Sequence, residues 1–223
     1  MAPTAHPRAI LLDLDGTLAD SLSAMRLAYR GFLKALGAQP TDSEFDSLNG
    51  PPLAEVVRRL KATHGLSGDE AMLLRNYIDA IDAIYANVVP RAGAVDLLDA
   101  ARRNRCILAI VTSNSTKRAQ AWLQTVGLSH LIDFIVSADD VQYGKPHPEP
   151  YLLASGRASC PRSMIIAVED SPQGAQSAVG AGIGTFVLTP DVRGPDPWPA
   201  GVVPISSLNS LSRQLWRDTP DQP

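Results

Sequence analysis

Apolar and polar positions along this chain follow two regimes. From residue 20 to about 88 apolar residues recur at helical three- and four-residue spacing, whereas elsewhere short continuous apolar runs alternate with such helices. The first run, Ala9-Ile10-Leu11-Leu12, has the length and branching of a buried strand. Leu22, Met25, Tyr29, Phe32 and Leu36 then mark a helix that Asp20 or Ser21 can cap and Gly37 can end. A second helix is expected over 52–64, with Leu53, Val56, Val57 and Leu60 on one face and Pro51 and Pro52 at its start. A third is expected over 69–88, with Leu74, Ile78, Ile81, Tyr85 and Val88 as its apolar stripe.

Past Pro90-Arg91-Ala92-Gly93 the pattern changes. Helices are expected over 94–103, 116–126, 150–158 and 173–181, and strands over 106–111, 134–136, 164–168 and 185–188. The tail from Asp191 is proline-rich and ends in a helix around 208–216. Strands alternating with helices mean an α/β fold with a doubly wound parallel sheet. The purely helical block interrupts that alternation, so it reads as an insertion. The expected division is a core domain made of residues 1–19 and 90–223, and an α-helical cap domain of residues 20–89. Because the insertion starts directly after the first strand, it should sit over that strand's carboxyl end, with hinges near Ala19-Asp20-Ser21 and Val89-Pro90.

Composition narrows the class without choosing a function. With 223 residues, 45% hydrophobic and 19% charged, the chain has ordinary globular proportions. A net charge of −3 gives no electrostatic case for nucleic acid or an anionic membrane as partner. No apolar run approaches the roughly 20 residues of a membrane-spanning helix, and the first residues lack a signal-peptide core. Cys106 and Cys160 have neither metal-site nor disulfide spacing, so a cytoplasmic location is the expectation, with Cys106 a buried thiol. A monomer or a small homo-oligomer fits equally well.

The chemistry lies where apolar runs end. Asp13/Asp15, Thr112-Ser113-Asn114, Lys145-Pro146 and Glu169-Asp170 all follow apolar runs, and in a parallel sheet the strands' carboxyl ends share one edge. Asp13 and Asp15, two apart on extended chain, can address one point, and such close like charges call for a cation or a shared proton. Acids, a lysine and a hydroxyl on one edge suit a phosphate held beside Mg²⁺, a hard cation that shares its shell with phosphate oxygens. Singly, each cluster has an ordinary explanation as a turn, a solvated loop or a helix start. His6, His64, His130 and His147 read as surface or turn residues, with His147 able to orient the Lys145 loop; Trp122, Trp198 and Trp216 read as packing, and Arg58 and Arg59 as a solvated helix face.

Taken together and in this order, Asp13-Leu14-Asp15-Gly16-Thr17-Leu18, Thr112, Gly144-Lys145-Pro146-His147-Pro148 and Val168-Glu169-Asp170-Ser171-Pro172-Gln173-Gly174 resemble the motifs of the haloacid dehalogenase superfamily. The helical insertion resembles that of the superfamily's subgroup capped after the first motif. The resemblance implies a Rossmann-like core and a role for each of these motif residues. Asp13 would be the nucleophile that becomes an aspartyl phosphate, and Asp15 the acid and then the base. Thr112, the Ser113 N–H and Lys145 would bind the phosphoryl oxygens. Mg²⁺ would be held by Asp13, the Asp15 carbonyl and Asp170, with Glu169 direct or through water. Asn49 and Gly50, in the loop Ser47-Leu48-Asn49-Gly50-Pro51-Pro52, would help select the substrate.

The superfamily contains several chemistries. Its dehalogenases lack an aspartate at the place of Asp15, and its phosphonatases depart from the Asp-x-Asp pattern kept here. Mutases of the β-phosphoglucomutase type usually have Asp-Gly-Val and a hinge histidine; here Gly16-Thr17-Leu18 resembles the phosphoglycolate phosphatase side and no hinge histidine follows. The expectation is therefore a Mg²⁺-dependent phosphatase for a small phosphorylated metabolite, a phosphosugar or phosphoglycolate, with a phosphosugar mutase as the alternative.

Overall fold

The computed structural model describes residues 6–48, 51–189 and 198–216. Asn49, Gly50 and most of the proline-rich segment after Asp191 lie outside the described residues. The chain forms two compact units, Met1–Ala19 with Pro90–Pro223, and Asp20–Val89.

The first unit is built on one parallel sheet of β1 (Ala9–Leu12), β2 (Ile107–Val111), β3 (Phe134–Val136), β4 (Ile165–Glu169), β5 (Gly184–Leu188) and β6 (Val203–Ile205), in the order β3-β2-β1-β4-β5-β6. The α/β doubly wound expectation holds. β1 is central because all four of its residues are fully buried and so need cover on both faces. Ala9 and Leu11 join a cluster with Tyr151 and Ala154 of one helix and Ala178 of another, while Ile10 and Leu12, pointing the opposite way, are equally inaccessible. Each such leucine or isoleucine stabilises the unit by about 1.5–3 kcal/mol. The flanking helices are those at Ala94–Arg103, Thr116–Thr125, Glu149–Ala158, Pro172–Gly180 and Leu208–Leu215, called α5 to α9 in chain order. β6 is absent from the sequence reading, since a three-residue strand containing Pro204 can exist only as a sheet edge and leaves almost no pattern.

The second unit contains α1 (Leu22–Ala35), α2 (Asp42–Ser47), α3 (Leu53–His64) and α4 (Glu70–Tyr85), with α4 packed against α1 and α3. Phe32 and Tyr77 join α1 to α4, their rings 4.8 Å apart. Four details depart from expectation. The buried stripe of α4 is Leu73, Tyr77, Ile81 and Tyr85, a strict four-residue spacing that moves Leu74 and Ile78 to its rim. Ser21 precedes α1 in helical conformation and makes no side-chain cap, because its hydroxyl is buried without a partner. The short α2 escapes the periodicity because only Phe45 is buried; its signal is the Thr41 cap, which accepts from the Glu44 N–H at 3.2 Å. His64 is half-buried, not a surface residue: its Nε2 lies 2.9 Å from Glu44, whose other partner is the Tyr29 hydroxyl. Arg58 and Arg59 are exposed and pair with Glu55, as a solvated face does.

Candidate active site

Register places the chemistry. Leu12 at the end of β1 lies opposite Ile110 of β2 and Val168 of β4. The next residues of these three adjacent strands therefore leave the sheet at one edge, which is also where the connections diverge to either side of β1. The Asp13 N–H donates to the Val168 carbonyl at 3.0 Å, and the Thr112 N–H donates to Val136 at 2.9 Å. Asp13 and Thr112 are buried, Asp15 and Asp170 are half-buried, and Ser113 is exposed.

Lys145 is the hub. Its side chain is buried and its ammonium places all three protons, on Asp13 Oδ1 at 2.6 Å, Glu169 Oε1 at 2.6 Å and the Val111 carbonyl at 2.9 Å. Burial works against its charge, but Asp13 and Glu169 more than offset this and raise its pKa. Tyr151 Oη donates to the same Glu169 oxygen at 2.6 Å; burial, with Glu169 and Asp13 adding to it, holds that phenol well above its usual range, so it stays a donor. The loop carrying Lys145 is tied by Glu149, whose two carboxylate oxygens accept the N–H groups of Gln142 and Tyr143, each at 2.9 Å. The Ser177 hydroxyl anchors the His147 carbonyl at 2.6 Å, and the His147 ring lies against Tyr143.

The turn after β1 is equally constrained. The Gly16 N–H donates to the Ala19 carbonyl at 2.9 Å, and Arg91 donates its backbone N–H to Leu18 at 2.7 Å and its guanidinium to the Gly16 carbonyl. Gly16 sits at φ +84°, and a Cβ there would collide with the Asp170 carboxylate, so this position is glycine on both counts. The Thr112 hydroxyl oxygen accepts the Asn114 N–H at 3.0 Å, which leaves its own proton to donate elsewhere. The Asn114 amide nitrogen donates to Asp15 Oδ2, and Arg118 donates to the Asn114 side-chain oxygen.

Carboxylates outnumber cations here. Asp13, Glu169 and Asp170 each offer an oxygen within 4.8 Å of the others, the one such group among the described residues. Burial drives Asp170 well above the usual carboxylate range, with Asp13 and then Glu169 adding to it. Burial also raises Glu169, against the pull of Lys145. Lys145 balances one negative charge of three. Hard oxygen ligands that repel one another at this largely buried edge fit a divalent cation of the Mg²⁺ type.

The structure therefore brings Asp13, Asp15, Thr112, Lys145, Glu169 and Asp170 to one edge, with Ser113 adjacent. Tyr151, Glu149 and Arg118 are absent from the sequence reading. Nothing local distinguishes them from helix residues, although Glu149 and Tyr151 lie in the first turn of the helix that follows Lys145-Pro146.

The chain belongs to the haloacid dehalogenase-like hydrolases, whose family model matches residues 10–188. It is 34% identical over 183 residues, 82% of this chain and 85% of the relative, to validoxylamine A 7'-phosphate phosphatase of Streptomyces hygroscopicus subsp. limoneus. It is 28% identical over 174 residues, 78% of this chain and 92% of the relative, to fructose-1-phosphate phosphatase YqaB of Escherichia coli strain K12. Among solved structures it is similar to CbbY from Rhodobacter sphaeroides in complex with phosphate, with a TM-score of 0.81 and 26% identity over 92% of this chain and 96% of that one.

Proposed function

We propose that this chain is a Mg²⁺-dependent phosphatase that hydrolyses a small phosphorylated metabolite of the phosphosugar or phosphoglycolate type. The observation that carries the reading is the buried Asp13–Lys145–Glu169 clasp beside Asp170, with Asp15 two residues after Asp13 and half-buried at the same edge. Lys145 holds Asp13 Oδ1, so attack on phosphorus falls to Oδ2. As that bond forms, the bond from phosphorus to the leaving oxygen breaks and the oxygen takes a proton from Asp15. Asp15, now ionised, takes a proton from water; the hydroxide formed attacks phosphorus, the bond to Asp13 breaks and inorganic phosphate leaves. Lys145 offsets charge on Asp13 and on the phosphoryl group through both steps, with Thr112 and the Ser113 N–H donating to phosphoryl oxygens. Mg²⁺, when bound by Asp13, Asp170, the Asp15 carbonyl and Glu169, would neutralise carboxylate and phosphate charge. The 20–89 unit, with Asn49 and Gly50, selects the substrate in this reading.

Hydrolysis is favoured over phosphate return to a sugar because the named sequence relatives are phosphatases. The test is phosphate release from fructose 1-phosphate, glucose 6-phosphate, phosphoglycolate and inorganic pyrophosphate in the presence of Mg²⁺. Release from at least one, lost in Asp13→Asn, is expected. Interconversion of sugar phosphates with little free phosphate would replace this reading with the mutase, and activity that survives Asp13→Asn would end both.

A further inference from the structure

The buried guanidinium of Arg118 has no part in the mechanism above, yet burying an arginine is costly unless its donors are used. It stands on the first turn of α6 and donates to Asn114 Oδ1, while Asn114 Nδ2 donates to Asp15 Oδ2. The direction of this chain is forced. Arginine can only donate, so the Asn114 amide turns its oxygen to Arg118 and its nitrogen to Asp15, and Asp15 Oδ2 can accept from it whether or not the other oxygen carries a proton. The main chain of Asn114 is held independently: its N–H donates to Thr112 Oγ1 at 3.0 Å and its carbonyl accepts the Ala138 N–H at 3.0 Å. Removing the guanidinium therefore frees the amide to turn over and leaves its backbone in place. A turned amide would aim an oxygen at the Asp15 carboxylate.

We propose that Arg118 and Asn114 are positioning residues for Asp15. Arg118 fixes the Asn114 amide, whose nitrogen engages Asp15 Oδ2 and so holds the carboxyl group that gives a proton to the leaving group and takes one from water. The proposal rests on the phosphatase reading, but its effect is confined to proton transfer. An alkyl leaving oxygen needs that proton; 2,4-dinitrophenolate, the stabilised anion of a phenol far more acidic than an alcohol, does not.

The experiment is the first-turnover rate of Arg118→Met, a flexible side chain without donors, on two substrates. One is the fastest alkyl phosphate of the panel above and the other is 2,4-dinitrophenyl phosphate. General acids contribute roughly 10²–10⁴-fold, and loss of aim removes part of this, so the alkyl rate should fall about 10–100-fold. Phenolate release in the first turnover should change by less than about 3-fold, since no proton is required. Asn114→Asp keeps Arg118 paired, removes the donor to Asp15 and sets a like charge in its place; it should show the same selective loss and serves if Arg118→Met does not fold. Arg118→Lys, which keeps one donor, should recover part of the alkyl rate. Equal slowing of both substrates, or no slowing of either, overturns the positioning role. A wild-type enzyme that turns over neither substrate overturns the phosphatase reading itself, and the role assigned to Asp15 with it.

Discussion

Gly174 lies in the first turn of α8, where alanine would ordinarily be the better residue: an added Cβ should favour the helix by about 1 kcal/mol. Here it should do the reverse. A Cβ built at Gly174 falls on the Glu169 carboxylate, well inside the 3.0 Å that real Cβ contacts essentially never cross. Elsewhere a carboxylate would swing away, but Glu169 is fully buried and clasped at 2.6 Å by both Lys145 and Tyr151. A retreat on the order of 1 Å would carry both bonds past the ~3.2 Å at which hydrogen bonds weaken. Overpacking costs about 1–3 kcal/mol. Each hydrogen bond to a charged group contributes about 1.5–3 kcal/mol, of which a relaxed site would keep part. After subtracting the helix gain, Gly174→Ala should lose about 2–4 kcal/mol. At about 2–4 °C per kcal/mol for a chain of this size, that is a Tm drop of roughly 5–12 °C. Gly156→Ala is the control: Gly156 is an exposed α7 residue with nothing within 4 Å of its Cβ position, so Tm should rise by about 1–4 °C. Differential scanning calorimetry of the two variants reads both signs. A Gly174→Ala protein as stable as wild type would mean that Glu169 is not clamped as described.

Relief of carboxylate repulsion should make Mg²⁺ a stabiliser: at about 100 times its Kd the chain should gain about 2.7 kcal/mol, read as a rise in Tm that Asp170→Asn abolishes. Asp140 supplies a pH test away from the site. Burial opposes its charge, but the Ser137 N–H and hydroxyl, each at 2.9 Å, and Arg157 at 2.9 Å hold its carboxyl below its ordinary 3.8. A depressed carboxyl stabilises above its unfolded pKa, and that contribution is lost as the pH falls through the folded value. Asp140→Asn should therefore be less stable than wild type at pH 7, with the gap in urea midpoint narrowing once the pH drops below 3.8.

What could be read in advance follows from how locally each feature is encoded. β1 was legible to the residue because four consecutive inaccessible side chains leave an unbroken apolar run. The convergence of Asp13, Lys145 and Glu169, 24 to 156 positions apart in sequence, was legible only because a parallel sheet brings strand ends to one edge. α2 and β6 were not legible, since six residues with one buried side chain and three with a central proline carry too little pattern. The exact face of α4 also slipped, because Leu73 and Leu74, or Tyr77 and Ile78, are neighbours of similar polarity and only packing decides between them. Supporting residues were the least visible. Tyr151 and Arg118 look like any helix residue until the fold brings them to Glu169 and Asn114.

The account turns on Asp13 as the group that carries the phosphoryl moiety. Acid-quenching the enzyme during turnover of its best phosphorylated substrate, reducing with borohydride and sequencing peptides by mass spectrometry would locate it directly. An aspartyl phosphate at position 13 is reduced to homoserine there, so the account predicts homoserine at 13 in wild type and none in Asp13→Asn, which also ceases to release phosphate. Reduction at any other carboxylate, or undiminished phosphate release from Asp13→Asn, would contradict it.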